Sequence, residues 1–126
     1  GDKELQLPNI TKVEINHIND SDTESTNKFL TACIPVTLPL LSLNQTAVKI
    51  IYGNKFIEGI CKASLSVTRQ IYIAFTEFSP EEIQRIVRSA TKTQRLIFKA
   101  CKLNTTGHMN FNTDSVLTYL SFDNCG

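Results

Sequence analysis

Five segments of this chain fit one template, and that repetition constrains the fold more than any other feature. The template has apolar residues at its first, fourth and sixth positions and a small side chain or thiol at its ninth. The segments are Ile10-Val13-Ile15-Ile18, Leu38-Leu41-Leu43-Thr46, Thr68-Ile71-Ile73-Thr76, Thr93-Leu96-Phe98-Cys101 and Leu117-Leu120-Phe122-Cys125. An apolar eleventh position completes three of them as Val48, Phe78 and Leu103, whereas the first has Asp20 there. Their fourth positions are 13, 41, 71, 96 and 120, so the segments recur every 28, 30, 25 and 24 residues. Self-similarity at such a period points to stacked units, each unable to bury its apolar face alone. Thr68 and Thr93 depart from the template at position one, and Ile18, Thr46 and Thr76 depart from the thiol at position nine.

The sequence between the segments reads as helix. Ser79-Pro80-Glu81-Glu82 carries the signals of a helix start. Ser79 can accept from the third helical amide, Pro80 suits the first turn and Glu82 can reach back as a capping box. Phe78 and Ile83 are spaced as a hydrophobic staple, and Ile83, Ile86, Val87 and Ala90 follow the stripe of a helix with one buried face. Phe29, Leu30 and Cys33 mark an earlier helix that Pro35 must end near Cys33. Ile51, Tyr52, Phe56, Ile60 and Cys61 mark another, weakened at its start by Gly53. The stretch 104–116, with Gly107 and several Asn and Thr, reads as a loop.

Strand and helix alternating at this spacing predict an α/β domain with a parallel sheet. A doubly covered sheet would need strands that are apolar on both faces. The fifth template positions are instead Glu14, Ser42, Tyr72, Ile97 and Ser121, a mostly polar set. One strand face is therefore expected to meet solvent, with the helices on the other. A small α/β domain of unknown activity is the alternative.

The C-terminal half carries the clearest repeats, in Phe78-Ser79-Pro80-Glu81-Glu82, Arg95-Leu96-Ile97-Phe98-Lys99-Ala100-Cys101-Lys102-Leu103 and Leu120-Ser121-Phe122-Asp123-Asn124-Cys125-Gly126. It resembles long-repeat leucine-rich-repeat proteins, notably the ribonuclease-inhibitor-like class and the large leucine-rich-repeat families of ciliates. The resemblance is close over 68–126 and looser over 10–67. It implies a horseshoe-shaped α/β solenoid, with parallel strands on the concave face and helices on the convex face. The chain would be a single domain over 1–126 with strand units near 10–18, 38–46, 68–76, 93–101 and 117–125. The resemblance also implies protein binding rather than catalysis.

The bulk composition narrows the partners. With a net charge of +1 and 20% charged residues, nothing suggests an electrostatic footprint for nucleic acid or an anionic membrane. No apolar run is long enough for a membrane span. No signal-peptide pattern precedes the first segment, and a start at Gly1 points to a processed or trimmed end. Cys33, Cys61, Cys101 and Cys125 lie at least 24 residues apart, so no C-x-x-C half-site for zinc exists. All four are expected as buried, reduced thiols, two on inner helix stripes and two at ninth positions, with a disulfide as the alternative. Such usage fits a reducing, cytoplasmic setting. Glycosylation sequons such as those at Asn9, Asn44 and Asn104 are close to what chance would place in so Asn- and Thr-rich a chain.

No enzyme pattern emerges. His17 and His108 have no acidic or nucleophilic neighbour at motif spacing, and His17 is expected at the surface or rim. There is no phosphate-binding glycine loop and no nucleophile elbow. Asp22, Glu24, Glu81 and Glu82 lie at helix starts, where the helix dipole explains them. Glu14 and Asp123 would sit four strands apart, too far for paired carboxylates. No catalytic residue, metal or cofactor is expected.

Binding would fall on the solvated strand face. Template position three supplies Lys12, Leu40, Gln70, Arg95 and Tyr119, and position seven supplies Asn16, Asn44, Ala74, Lys99 and Asp123. Tyr72, Arg95, Ile97, Lys99 and Tyr119 fall on three consecutive strands and are the candidate partner-binding residues. Tyr and Arg bury much area while keeping a polar end, as interface hot spots do. The sequence also admits a chain that is part of a larger repeat assembly. It has no polar capping repeat, and a strand over 120–124 would leave an open edge prone to self-association.

Overall fold

The computed structural model describes residues 10–18, 23–44, 57–103, 110 and 114–125. In chain order the elements are β1 (Lys12–Asn16), α1 (Thr23–Ala32), β2 (Leu38–Asn44), α2 (Ile57–Ser64), β3 (Val67–Ala74), β4 (Glu77–Phe78), α3 (Pro80–Ser89), β5 (Arg95–Lys99), β6 (Lys102–Leu103) and β7 (Tyr119–Asp123). The protein is α/β. Five strands form a parallel sheet in the order β1-β2-β3-β5-β7, and β4 pairs with β6 in a second, two-stranded parallel sheet. Thr46, Val48, Ile51, Tyr52, Gly53, Phe56, His108 and most of the expected 104–116 loop lie outside the described residues, as do Asp20 and Asp22.

The strand register follows the template. Val13, Leu41, Ile71, Leu96 and Leu120 stand side by side, as do Ile15, Leu43, Ile73, Phe98 and Phe122. These two rows point to the same face because strand side chains alternate. They join Leu30 of α1, Ile60 of α2 and Ile83, Ile86 and Val87 of α3 in one apolar core. Each fully buried Leu, Ile or Phe there contributes about 1.5–3 kcal/mol. Phe98 is central to the C-terminal part, edge-on to Phe78 at 5.6 Å and stacked on Phe122 at 5.2 Å. The opposite sheet face is exposed or half-buried except at Ala74.

Strands β1, β3, β5 and β7 leave the sheet through the same turn. The eighth template residues His17, Phe75, Ala100 and Asn124 all have φ between 52° and 61°. This left-handed conformation costs a residue with a Cβ about 1–2 kcal/mol. The turn persists because the amide there still completes the ladder. His17 N donates to Asn44 O, Phe75 N to Lys99 O and Ala100 N to Asp123 O, at 2.7–3.0 Å. The ninth residue then folds under the turn. The Cys101 thiol lies 3.4 Å from Ile73 O, the Cys125 thiol 3.5 Å from Phe98 O, and Thr76 Oγ1 donates to Ala74 O at 3.2 Å.

The helices are set by local chemistry and one close approach. At α3 both halves of the capping box form: Glu82 N donates to Ser79 Oγ at 3.2 Å, and Ser79 N donates to Glu82 Oε1 at 2.9 Å. Phe78 and Ile83 are both buried, as the staple requires. Gly59, in the first turn of α2, donates its amide to Asn27 Oδ1 of α1 at 2.6 Å. That amide has no carbonyl partner within the helix, so Asn27 caps it across the helix pair. A Glu58–Arg85 ion pair at 2.8 Å links α2 to α3 on the surface.

Two expectations are corrected. The buried residues of α1 are Thr23, Thr26 and Leu30, while Phe29 and Cys33 face outward. The helix is rotated so that its threonines pack inward, and Leu30 lies under Gly59. At the third segment, Val67 rather than Thr68 fills position one, because β2 and β3 shift register between Leu38/Val67 and Leu40/Gln70. The shift falls at Pro39, which has no amide to give the ladder. Thr93 does occupy its apolar position, fully buried, with its hydroxyl donating to Val67 O at 2.7 Å.

Candidate binding face of the parallel sheet

The face turned away from the helices is organised in three cross-strand rows. The first runs Lys12–Leu40–Gln70–Arg95–Tyr119, the second Glu14–Ser42–Tyr72–Ile97–Ser121 and the third Asn16–Asn44–Ala74–Lys99–Asp123. Neighbours along a row are about 4.8 Å apart, and rows are separated by two residues, about 6.6 Å. All five candidate residues lie here on the adjacent strands β3, β5 and β7. Tyr72 and Ile97 are half-buried side by side, and Arg95, Lys99 and Tyr119 are exposed.

The β1 end neutralises itself. Lys12 Nζ lies 3.4 Å from Glu14 Oε1, and Asn16 Nδ2 donates to Glu14 Oε2 at 3.2 Å. The Asn16 amide first, and Lys12 second, hold the exposed Glu14 carboxyl below its ordinary range. Glu14 and Asp123 are separated by four strand intervals, as the repeat order requires. The β3–β7 end is different. Arg95 Nε donates to Gln70 Oε1 at 3.1 Å, and its guanidinium carbon lies 4.1 Å from the Tyr119 ring centroid. One side chain thus orients the guanidinium through a hydrogen bond and the other through a cation–π contact. Gln70 was not among the sequence candidates. Its place beside Arg95 in row one was the available signal.

The thiols lie away from this face. Cys61 and Cys101 are buried, Cys125 is half-buried and Cys33 is exposed, which corrects the expectation of four buried groups. Burial pushes the Cys61 thiol pKa up and raises that of Cys101 to about 11. His17 is exposed at the rim, as expected. Among the described residues no group of three or more His, Cys, Asp or Glu is placed to hold a metal ion, and no helix is long and apolar enough to cross a membrane. No protein-family model matches the chain, and neither a curated protein nor a solved structure matches it.

Proposed function

We propose that this protein is a leucine-rich-repeat solenoid, a non-catalytic, cytoplasmic module that binds a partner protein on its strand face. The observation that carries the reading is the row register. Large side chains (Tyr72, Arg95, Ile97 and Tyr119) stand together on a face where packing against the helices makes no use of them. The uniform strand order, the left-handed eighth residue and the ninth residue tucked under the turn support the repeat assignment. Tyr72, Arg95, Ile97, Lys99 and Tyr119 are the proposed contact residues.

Tyr72→Ala and Arg95→Ala test this reading. Each should change stability by only about 0.5 kcal/mol, as surface substitutions do. Each should weaken partner binding by about 1–2 kcal/mol or more. Ile86→Ala, in the fully buried helix stripe, is the control and should cost roughly 2–5 kcal/mol of stability. Melting curves and quantitative capture from a lysate of the source organism read both effects. Undiminished capture by both face variants would refute the assignment of the site.

A second reading, that the chain forms part of a larger repeat assembly, is favoured by β7. This strand lies at the sheet edge with Leu120 and Phe122 only half-buried. Asn124 nevertheless already holds the left-handed turn whose amide, after β1, β3 and β5, donates to the neighbouring strand. Self-association that disappears when a charge is placed on this edge, as in Ser121→Lys, would support it.

A further inference from the structure

Among the charged groups on the exposed sheet face, Arg95 stands apart. Lys12 is ion-paired with Glu14 at 3.4 Å, and Lys99 has the oppositely charged Asp123 as its register partner on β7, without an ion pair between them. Arg95 has no acidic partner among the described residues. Its contacts are the hydrogen bond from Nε to Gln70 and the stack on Tyr119. Both contacts fix the guanidinium plane, and neither uses the end-on pair of terminal nitrogens. A planar fork held in place by neutral neighbours is suited to bidentate binding of a carboxylate. Little side-chain entropy is left to lose on binding, because the rotamer is already set in the free protein.

Resting on the binding face proposed above, we propose that Arg95 reads an Asp or Glu side chain of the partner protein, while Tyr72 and Ile97 take an apolar side chain beside it. Ile97 lies two residues along the strand from Arg95, about 6.6 Å away. An extended partner segment with its acid and its apolar residue two positions apart matches that spacing. The charges of Lys99 and Asp123, register partners across β5 and β7, offset each other, so the net charge of this end of the face is that of Arg95 alone. That charge matches a single carboxylate better than a dianionic phosphate.

The test is selection from a phage-displayed library of random dodecapeptides on the whole chain, followed by titration of synthetic peptides. Selected peptides should carry an acid two residues from an aliphatic or aromatic residue. Arg95→Gln should weaken the best of them about tenfold or more, with its melting curve unchanged. Replacing the peptide's acid by its amide should cost about tenfold on the native protein and nothing further on Arg95→Gln. Equal binding of the acid and amide peptides overturns the proposal. If Tyr72→Ala still abolishes that binding, the face stands and only the carboxylate preference fails. Peptides indifferent to both Tyr72→Ala and Arg95→Gln overturn the face as well. A phosphoserine peptide binding tenfold more tightly than its glutamate twin, or an empty selection, also overturns the proposal.

Discussion

Gly59→Ala opposes two effects of known size. In an isolated helix the change is favourable by about 1 kcal/mol, because glycine loses the most backbone entropy. Here an added Cβ would lie 2.7 Å from Asn27 Oδ1, 2.9 Å from Leu30 Cβ and 3.0 Å from Asn27 O. Leu30 is fully buried and the Asn27 carbonyl belongs to the α1 backbone, so neither can yield cheaply. Separating the helices would cost about 1–3 kcal/mol through misfit, plus about 0.5–1.5 kcal/mol for the Gly59 to Asn27 hydrogen bond. The clash outweighs the propensity gain, and the net expectation is destabilisation of about 1–3 kcal/mol. At this chain length that is a fall in Tm of roughly 4–12 °C. Urea unfolding followed by circular dichroism measures it directly. In an Asn27→Ala background the nearest obstacle and the hydrogen bond are gone. The same substitution should then cost less by at least about 0.5 kcal/mol, the coupling expected of residues in contact. A rise in stability for Gly59→Ala, or strict additivity with Asn27→Ala, would refute the close approach of α1 and α2.

Two further outcomes follow from the turns and the thiols. At pH 8 Cys33 should react with a thiol reagent fastest and Cys125 next, with Cys61 and Cys101 protected until denaturant is added. With a thiol pKa of about 11, Cys101 is about 0.1% thiolate at that pH; fast labelling of Cys101 in the folded protein, located by mass spectrometry, would contradict its burial. Ala100→Gly should stabilise the protein by up to about 1 kcal/mol, because it relieves a left-handed residue at φ 52° while adding some unfolded-state entropy. A loss of stability in the same urea assay would show that the turn is not strained.

The core of the sheet was legible because strand periodicity is strict. With side chains alternating every residue, a one-residue slip would turn the apolar positions four and six out to solvent. The observed pairing of Leu41 with Ile71, Leu96 with Ile71 and Leu96 with Leu120 follows. The α3 cap was legible for a similar reason: Ser79 and Glu82 need only their own backbone to form it. The five face candidates came from the same alternation and duly share that face. Gln70 was missed because its role depends on a neighbour 25 residues away, Arg95, whose side chain could equally have turned elsewhere.

Local rules therefore determine the repeat, the polar and apolar faces of the sheet and the start of α3 from sequence alone. Tertiary packing decided the rest. Whether Phe29 or Thr26 faces inward is a matter of rotation about the α1 axis. Both lie within one turn, and threonine can be buried once its hydroxyl finds a partner. The rotation is settled where Asn27 and Leu30 meet Gly59, and that contact puts Cys33 outside. The substitution of Val67 for Thr68 at the first position is likewise settled between strands, where β2 and β3 shift register beside Pro39. Neither outcome is a property of a segment by itself. Each is a fit between two surfaces, and it exists only once both are folded.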